Sequence, residues 1–171
     1  MSVEDELKEH AEHARAPFDK RVAATMAIIA AALAVVSVLG HLFTTEELVN
    51  QQRASDQWSF FQGKSNRRYQ SEIARDLLTA AKSDKAAEYG ANLERYKKET
   101  EEIQEKAKEF ENESHLKGKQ ALRLHFGEIF LEIAIVFASL AILTKRPMLW
   151  VTAIASGALG AAIALTVLLV H

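Results

Sequence analysis

The chain has 171 residues, of which 49% are hydrophobic, and its formal net charge at pH 7 is −2. This near-neutral balance gives no basis for neutralising phosphates, so we expect no nucleic-acid partner. The sequence contains no cysteine, which excludes disulfides, thiolate metal sites and a cysteine nucleophile.

The N-terminal segment, residues 1–21, is polar and is predicted to form a short helix that ends at Pro17, because the residue before a proline is disfavoured in helical geometry. Glu6, His10 and His13 would share one face of that helix. Two histidines without a firm third ligand are weak metal candidates. We therefore expect a solvated or self-associating leader, with no bound metal or cofactor.

Three apolar segments predict membrane-spanning helices. A helix of about 20 residues crosses a hydrocarbon layer of roughly 30 Å. The first and third segments are uncharged, whereas the second contains Glu128 and Glu132. We expect the first to be an uncleaved anchor rather than a signal peptide, and a lipid bilayer to be the main partner. The predicted spans cover residues 22–43, 121–144 and 148–170.

Basic residues predict the orientation of these spans. Lys20 and Arg21 precede the first span, and Lys145 and Arg146 separate the second from the third. Because positive residues in short loops tend to stay in the cytoplasm, the N-terminus is predicted to be cytoplasmic. Residues 44–120 and the C-terminal His171 would then lie outside. Three basic residues before or within the second span oppose this orientation: Lys117, Lys119 and Arg123.

Small residues recur every four positions in the first and third spans. The first carries Ala23, Ala27 and Ala31, and the third carries Gly157 and Gly160 among further alanines. Such spacing lets helix backbones approach closely in lipid. We expect the two glycines to contact another copy of the chain, although alanine is also simply common in membrane helices.

The charged segment 44–120 predicts a long antiparallel, coiled-coil-like helical hairpin between the first and second spans, which makes the fold all-α. Thr44 and Glu47 have the spacing of a capping box at its start, and Lys82-Ser83-Asp84 is the predicted turn, with Gly90 as the alternative. One apolar stripe has heptad spacing; it contains Leu93, Tyr96, Thr100, Ile103, Ala107, Phe110 and Ser114. The facing stripe contains Trp58, Phe61, Tyr69, Ile73, Leu77 and Ala80. The predicted register pairs Trp58 with Phe110, Phe61 with Ala107 and Ile73 with Leu93.

Three aromatic residues of the first arm are candidates for contacts with another copy or a protein partner: Trp58, Phe60 and Phe61. Neighbouring residues on a helix differ in direction by about 100°. Phe60 must therefore point away from the stripe that contains the other two. A broad aromatic stripe inside one hairpin is the alternative.

A polar cluster is predicted within the second span. His125, Glu128 and Glu132 are spaced by three and four residues and so share a helix face, with His41 of the first span nearby. Glu132 is 13 residues before Lys145, which places it roughly 10 Å below the outer hydrocarbon surface. An ionised carboxylate there costs about 3 kcal/mol. We expect it to be protonated or to bind a cation or polar partner, unless its role is structural, at an oligomer interface.

Three stretches carry a family resemblance: Glu9-His10-Ala11-Glu12-His13-Ala14, the alanine-rich span from Val22, and Asp56-Gln57-Trp58-Ser59-Phe60-Phe61-Gln62-Gly63-Lys64. Together they resemble the bacterial family called domain of unknown function 4337. The resemblance covers nearly the whole chain and implies a membrane setting and this order of segments, but no activity. With the orientation predicted above, the expected location is a bacterial inner membrane with the hairpin in the periplasm. Phe60 and Phe61 stand where members often carry tyrosine, and Gly63 replaces alanine.

No motif for catalysis is present: the sequence has no phosphate-binding glycine loop, nucleophile elbow or zinc-protease helix. We expect no enzyme and no catalytic residue. The leading hypothesis is a homo-oligomeric structural or scaffold protein with a helical stalk. The alternatives are an ion- or proton-conducting oligomer that uses Glu132 and Glu128, and an accessory subunit of a membrane complex.

Overall fold

The protein is all-helical in the computed structural model, which describes the backbone of residues 3–170 and the side chains of residues 17–170. Its helices are α1 (Val3–Ala80), α2 (Ala86–Thr144) and α3 (Pro147–Leu165), followed by a 3-10 turn (Thr166–Leu169), and the described residues form no strand. The predicted all-α class is confirmed. The side chains of Glu6, His10 and His13, and residue His171, lie outside the described part.

Helix α1 continues through two positions at which the sequence predicts that a helix ends or begins. The leader helix does not end at Pro17, which lies inside α1. A proline removes one backbone hydrogen bond, but the next turn is held from outside, because Phe18 packs edge-to-face on Trp150 at 6.0 Å. Thr44 is not a helix cap either: its hydroxyl donates to the carbonyl of Gly40 at 2.9 Å, within the helix. Both predictions were wrong because tertiary contacts outweigh local boundary signals.

Two short breaks separate the helices. After α1, Lys82 adopts a left-handed conformation with a φ of 52°, and the Ser83 amide donates to the Leu78 carbonyl at 2.9 Å, as in a Schellman termination. This break lies at the predicted turn. After α2, Lys145 is also left-handed, with a φ of 56°, and α3 begins at Pro147, since proline suits the first position of a helix.

All three helices contain a stretch that is long and apolar enough to cross a membrane. The chain divides into two compact units. We call residues 1–44 with 118–171 the apolar unit, and residues 45–117 the charged unit. Within the charged unit, residues 45–80 of α1 form the first arm, and residues 86–117 of α2 form the second arm.

The core of the apolar unit is built from α2, with small residues where helices meet. Leu124 and Leu131 are 1% exposed, and Ala134 and Ala138 are fully buried. These positions are separated by seven, three and four residues, so one side of the apolar part of α2 is buried within the unit.

Helices α2 and α3 approach at their backbones where Gly127 meets Gly160. A Cβ atom added at Gly160 would lie 2.7 Å from the Gly127 carbonyl oxygen, and one added at Gly127 would lie 2.8 Å from the Gly160 oxygen. A Cβ atom added at Gly157 would lie 3.2 Å from Cδ1 of Ile29 in α1. Both glycines are buried against helices of their own chain, and their predicted contact with another chain stays a prediction.

Polar side chains link the two arms of the charged unit. Lys117 pairs with Glu46 at 2.6 Å, and the Ser114 hydroxyl donates to the Glu47 carbonyl at 3.1 Å. Further along the first arm, the Trp58 indole donates to the carboxylate of Glu111 at 2.9 Å. A fourth link joins the ammonium of Lys64 to the carboxylate of Glu99.

The stripe predicted for the first arm is wrong in its second half. Tyr69, Ile73 and Leu77 are 54%, 61% and 66% exposed. Steps of four residues advance about 40° beyond a full turn of a helix, so this run drifts away from the side that faces the second arm. That side is occupied instead by Ser71, which is 7% exposed.

We expect Gly160→Ala to destabilise the apolar unit by about 1–3 kcal/mol, since its methyl group would meet the backbone of α2. Gly63→Ala is the matched control, because a Cβ atom at Gly63 has no neighbour within 4 Å; it should be neutral or stabilising by about 0.5–1 kcal/mol. Thermal unfolding in detergent micelles measures both. Equal transition temperatures for the wild type and Gly160→Ala would contradict the close approach.

We expect the link between Lys64 and Glu99 to weaken in acid. The hydrogen bond from Lys64, with added attraction from Lys64 and from nearby arginines, lowers the pKa of Glu99 against the opposing effect of burial. A lowered folded-state pKa stabilises the fold above the unfolded carboxyl pKa, and this stabilisation is lost as pH falls through the lower folded value. Acid titration of helicity should therefore be flatter in Glu99→Gln. The exposed Glu101→Gln control should match the wild type, and an effect as large as that of Glu99→Gln would contradict the assignment.

Candidate functional site

A group of polar side chains in the apolar unit surrounds His125 of α2. Its Nε2 lies 3.1 Å from the Thr44 hydroxyl of α1, and its Nδ1 lies 3.1 Å from Oε2 of Glu128. The rings of His125 and His41 meet edge-to-face, with centroids 6.3 Å apart. Ser37 also hydrogen-bonds to Glu128. We call these five residues the His–Glu cluster.

Local helix geometry explains how the His–Glu cluster forms. His125 and Glu128 are three residues apart and so lie on one face of α2. Ser37, His41 and Thr44 are spaced by four and three and line one face of α1. The absence of a side chain at Gly40 makes room for the imidazole, because a Cβ atom there would lie 3.3 Å from Cε1 of His125.

The hydrogen bonds of the cluster allow two arrangements of its protons. The single hydrogen of the Thr44 hydroxyl lies within reach of the Gly40 carbonyl and of Nε2 of His125. If the hydroxyl donates to Gly40, Nε2 of His125 donates to Thr44; if the hydroxyl donates to Nε2, the proton of a neutral imidazole is on Nδ1 and is donated to Glu128. In both arrangements a hydrogen bond joins Nδ1 of His125 to Glu128.

Glu132 does not join the His–Glu cluster. Its side chain is exposed, and it makes no hydrogen bond or ion pair with any of residues 17–170. His41 and His125 are in contact. Ala34 lies seven residues before His41 on the same face of α1, and Glu132 lies seven residues after His125 on the same face of α2. Because Ala34 is small, it leaves the carboxylate of Glu132 uncovered. The predicted four-residue cluster is thus divided into three members in contact and one apart.

A metal site is not formed by the residues that the structure describes. Between residues 17 and 170, no group of three or more histidines, cysteines or acidic residues is arranged to hold an ion. The donor atoms of His125 are directed at Thr44 and Glu128 instead. The arrangement is suited to holding and transferring a proton.

Comparison with protein-family models places the chain. The model described as Domain of unknown function (DUF4337) matches residues 18–170. The chain belongs to that family. No curated protein and no solved structure matches it. The predicted family is confirmed, and DUF4337 membership adds no activity to the geometry described above.

The three aromatic candidates of this DUF4337 chain point in different directions, as their helix positions predict. Trp58 and Phe61 are in edge-to-face contact at 5.4 Å and are partly buried within the charged unit. Phe60 points elsewhere and is 62% exposed. A contact between Phe60 and another chain stays a prediction.

Sequence reasoning missed Ser37, Gly40 and Thr44 as members or supports of the site. A signal for them exists, because Ser37, His41 and Thr44 form the one polar stripe at helical spacing in an otherwise apolar stretch. It was overlooked because Thr44 also fits a capping box, and that local pattern concealed its position on the face that meets α2.

We expect Glu128→Gln to change the protonation or the tautomer of His125, because the amide removes the negative charge that faces Nδ1. The ¹⁵N chemical shifts of the histidine ring in detergent micelles report protonation and tautomer. Those of His125 should move in Glu128→Gln and stay unchanged in Glu132→Gln, the matched control one turn away. Equal shifts in the two variants would contradict the assigned contact.

Proposed function

We propose that this DUF4337 protein is a multi-pass membrane protein that self-associates through its apolar unit and acts as a scaffold. In this proposal the charged unit is an antiparallel helical hairpin outside the bilayer, which serves as a stalk. The single observation that carries the proposal is the uncovered carboxylate of Glu132 in the middle of an apolar helix.

Lipid cannot satisfy this carboxylate. Hydrocarbon offers no hydrogen-bond partner, and a charged group at this depth costs about 3 kcal/mol. Beside it, α1 presents an exposed strip of small side chains, which lets another helix approach closely. A second copy of the chain supplies both a helix surface and a polar group for Glu132. The strip contains Ala23, Ala27, Ala30 and Ala34.

The four links between the arms support the hairpin. Residues 46 and 47, at the start of the first arm, bond with residues 117 and 114, at the end of the second. Lys64, further along, bonds with the earlier Glu99. This order is that of two helices running in opposite directions.

Contacts at the other end of the apolar unit support the proposed orientation. Lys145 forms an ion pair with Asp19, and Phe18 packs on Trp150. The basic residues before the first apolar stretch and those between α2 and α3 therefore belong to one end, as the rule for positive residues in cytoplasmic loops requires. The proposed location is a bacterial inner membrane with a cytoplasmic N-terminus.

A second candidate function is proton or ion conduction. The favouring observation is the hydrogen bond between His125 and Glu128 in the His–Glu cluster, followed by Glu132 one turn beyond Glu128. Rings of carboxylates conduct cations in membrane assemblies. An accessory subunit of a larger membrane complex is a third reading, and it predicts stoichiometric co-purification with a different protein.

We expect Ala34→Cys to form a disulfide-linked dimer in native membranes under mild oxidation, because Ala34 lies on the proposed contact face. Leu159→Cys is the control, at an exposed position of α3. The natural chain has no cysteine, so each product reports a single site. Monomer alone from both variants would refute self-association.

We expect Glu132→Gln to leave ion flux into proteoliposomes unchanged if the protein is a scaffold. The glutamine keeps the size and hydrogen-bonding capacity of the side chain but removes its ability to ionise. Wild-type flux that falls by an order of magnitude in Glu132→Gln would establish the conductor instead. Glu111→Gln, in the charged unit, is the control for this measurement.

A further inference from the structure

The two arms of the charged unit differ sharply in what they expose. The first arm, residues 45–80, has 21 exposed residues, of which four are charged. The second arm, residues 86–117, has 17 exposed residues, of which 13 are charged. A helix side that faces only water is normally charged. The first arm therefore departs from the pattern that its partner follows.

Ten of the 17 exposed uncharged residues of the first arm fall on one side of the helix. These positions recur at steps of three and four, each is an amide, a hydroxyl or an apolar residue, and the charged Asp76 lies at their edge. They are Leu48, Gln51, Ser55, Ser59, Gln62, Asn66, Tyr69, Ile73, Leu77 and Ala80. We call this side the uncharged face. It extends over roughly 50 Å, and its central members are Ser55, Gln62, Asn66 and Ile73.

The uncharged face is not needed to pair the two arms. The contact with the second arm uses another side of the helix, where Asn50, Ala54 and Ser71 are buried. The large apolar members of the uncharged face remain in the open: Leu48 is 58% exposed and Leu77 is 66% exposed. Apolar side chains on such a long uncharged surface indicate a covered interface.

We propose that the uncharged face binds the same face of a second copy of the chain. This inference rests on the proposed self-association, which holds both copies in one membrane. The first arm follows the first apolar stretch directly in both copies, so the two arms run parallel and each residue meets its own counterpart.

Self-pairing of this kind explains why the face has no charge. In a twofold contact, each charged residue near the axis would face an identical charge and repel it. Amide side chains have donors and acceptors together, so Gln62 and Asn66 can each bond to their own counterparts. A foreign partner imposes no such restriction, because opposite charges on the two proteins would favour their pairing.

The contact needs to be only weakly favourable by itself. Two arms attached to associated apolar units meet at a high effective concentration, which converts a weak surface into a stable contact. This fits a face that mixes amides and hydroxyls with a few apolar residues, as contact surfaces between already associated subunits do.

Single cysteines test the proposal in the full-length chain. Gln62→Cys lies on the uncharged face, and Lys98→Cys lies on the exposed, charged surface of the second arm. Under mild oxidation in native membranes, Gln62→Cys should yield at least ten times more disulfide-linked homodimer than Lys98→Cys. Equal yields, no dimer from Gln62→Cys, or a linked protein of different mass would overturn the proposal.

Added like charge provides the second measurement. Ile73→Lys in the Gln62→Cys chain should reduce dimer formation about tenfold, since two lysines would face each other across the contact. Lys98→Glu in the same chain should leave the yield unchanged. An undiminished yield with Ile73→Lys would overturn the contact.

The outcomes separate this inference from the proposed function. If Ala34→Cys forms dimers and Gln62→Cys does not, the apolar units associate and the uncharged face is not their contact. If neither variant forms dimers, self-association itself fails. Dimers from Gln62→Cys alone would retain the stalk contact and remove the proposed role of the apolar unit.

Discussion

Hydrocarbon offers no hydrogen-bond partners, and the internal polar contacts of the apolar unit fit the membrane setting proposed for it. The Thr44 and Thr152 hydroxyls donate to carbonyls four residues earlier in their own helices. Ser156 donates to the Phe130 carbonyl across the contact between α3 and α2 at 2.8 Å, and the Trp150 indole donates to Thr25 of α1 at 3.2 Å. These groups are satisfied inside one chain. Glu132 stands apart because one chain leaves its carboxylate uncovered.

The same constraint governs how the helices use their small residues. In lipid, helices associate by close packing rather than by hydrophobic burial. The glycines of α3 are used within the chain, where Gly160 meets Gly127. The alanines of α1 between Ala23 and Ala34 are left exposed. The glycines therefore pack the three helices together, and the alanines of α1 remain available for a contact beside the carboxylate of Glu132.

Hydrophobic length was enough to predict the helical class and the three apolar stretches, because both depend on composition over about 20 residues. The contacts of individual residues could not be predicted as well from the sequence. Gly157 and Gly160 pack against helices of their own chain, and spacing alone cannot tell which helix a small residue faces. Pro17 and Thr44 carry real boundary signals, but each lies where another helix packs against α1, and those contacts are long-range.

The candidate site was predicted in part for the same reason. His125 and Glu128 share a face at any reasonable helix geometry, so their proximity follows from spacing. Whether Glu132, one turn further, joins them depends on the neighbouring helix. That helix offers Ala34 there, in place of a histidine or serine.

The two sides of the first arm carry different sequence signals for contacts. A heptad search detects the contact between the arms, because apolar residues recur on that side. It does not detect the uncharged face, whose signal is missing charge rather than added hydrophobicity. Surfaces that must meet their own copies are selected against like charge, and apolar residues are needed only sparsely when the chains are already tethered. For the proposed contact between two first arms, the absence of charge on one side of the helix is therefore the signal that the sequence offers.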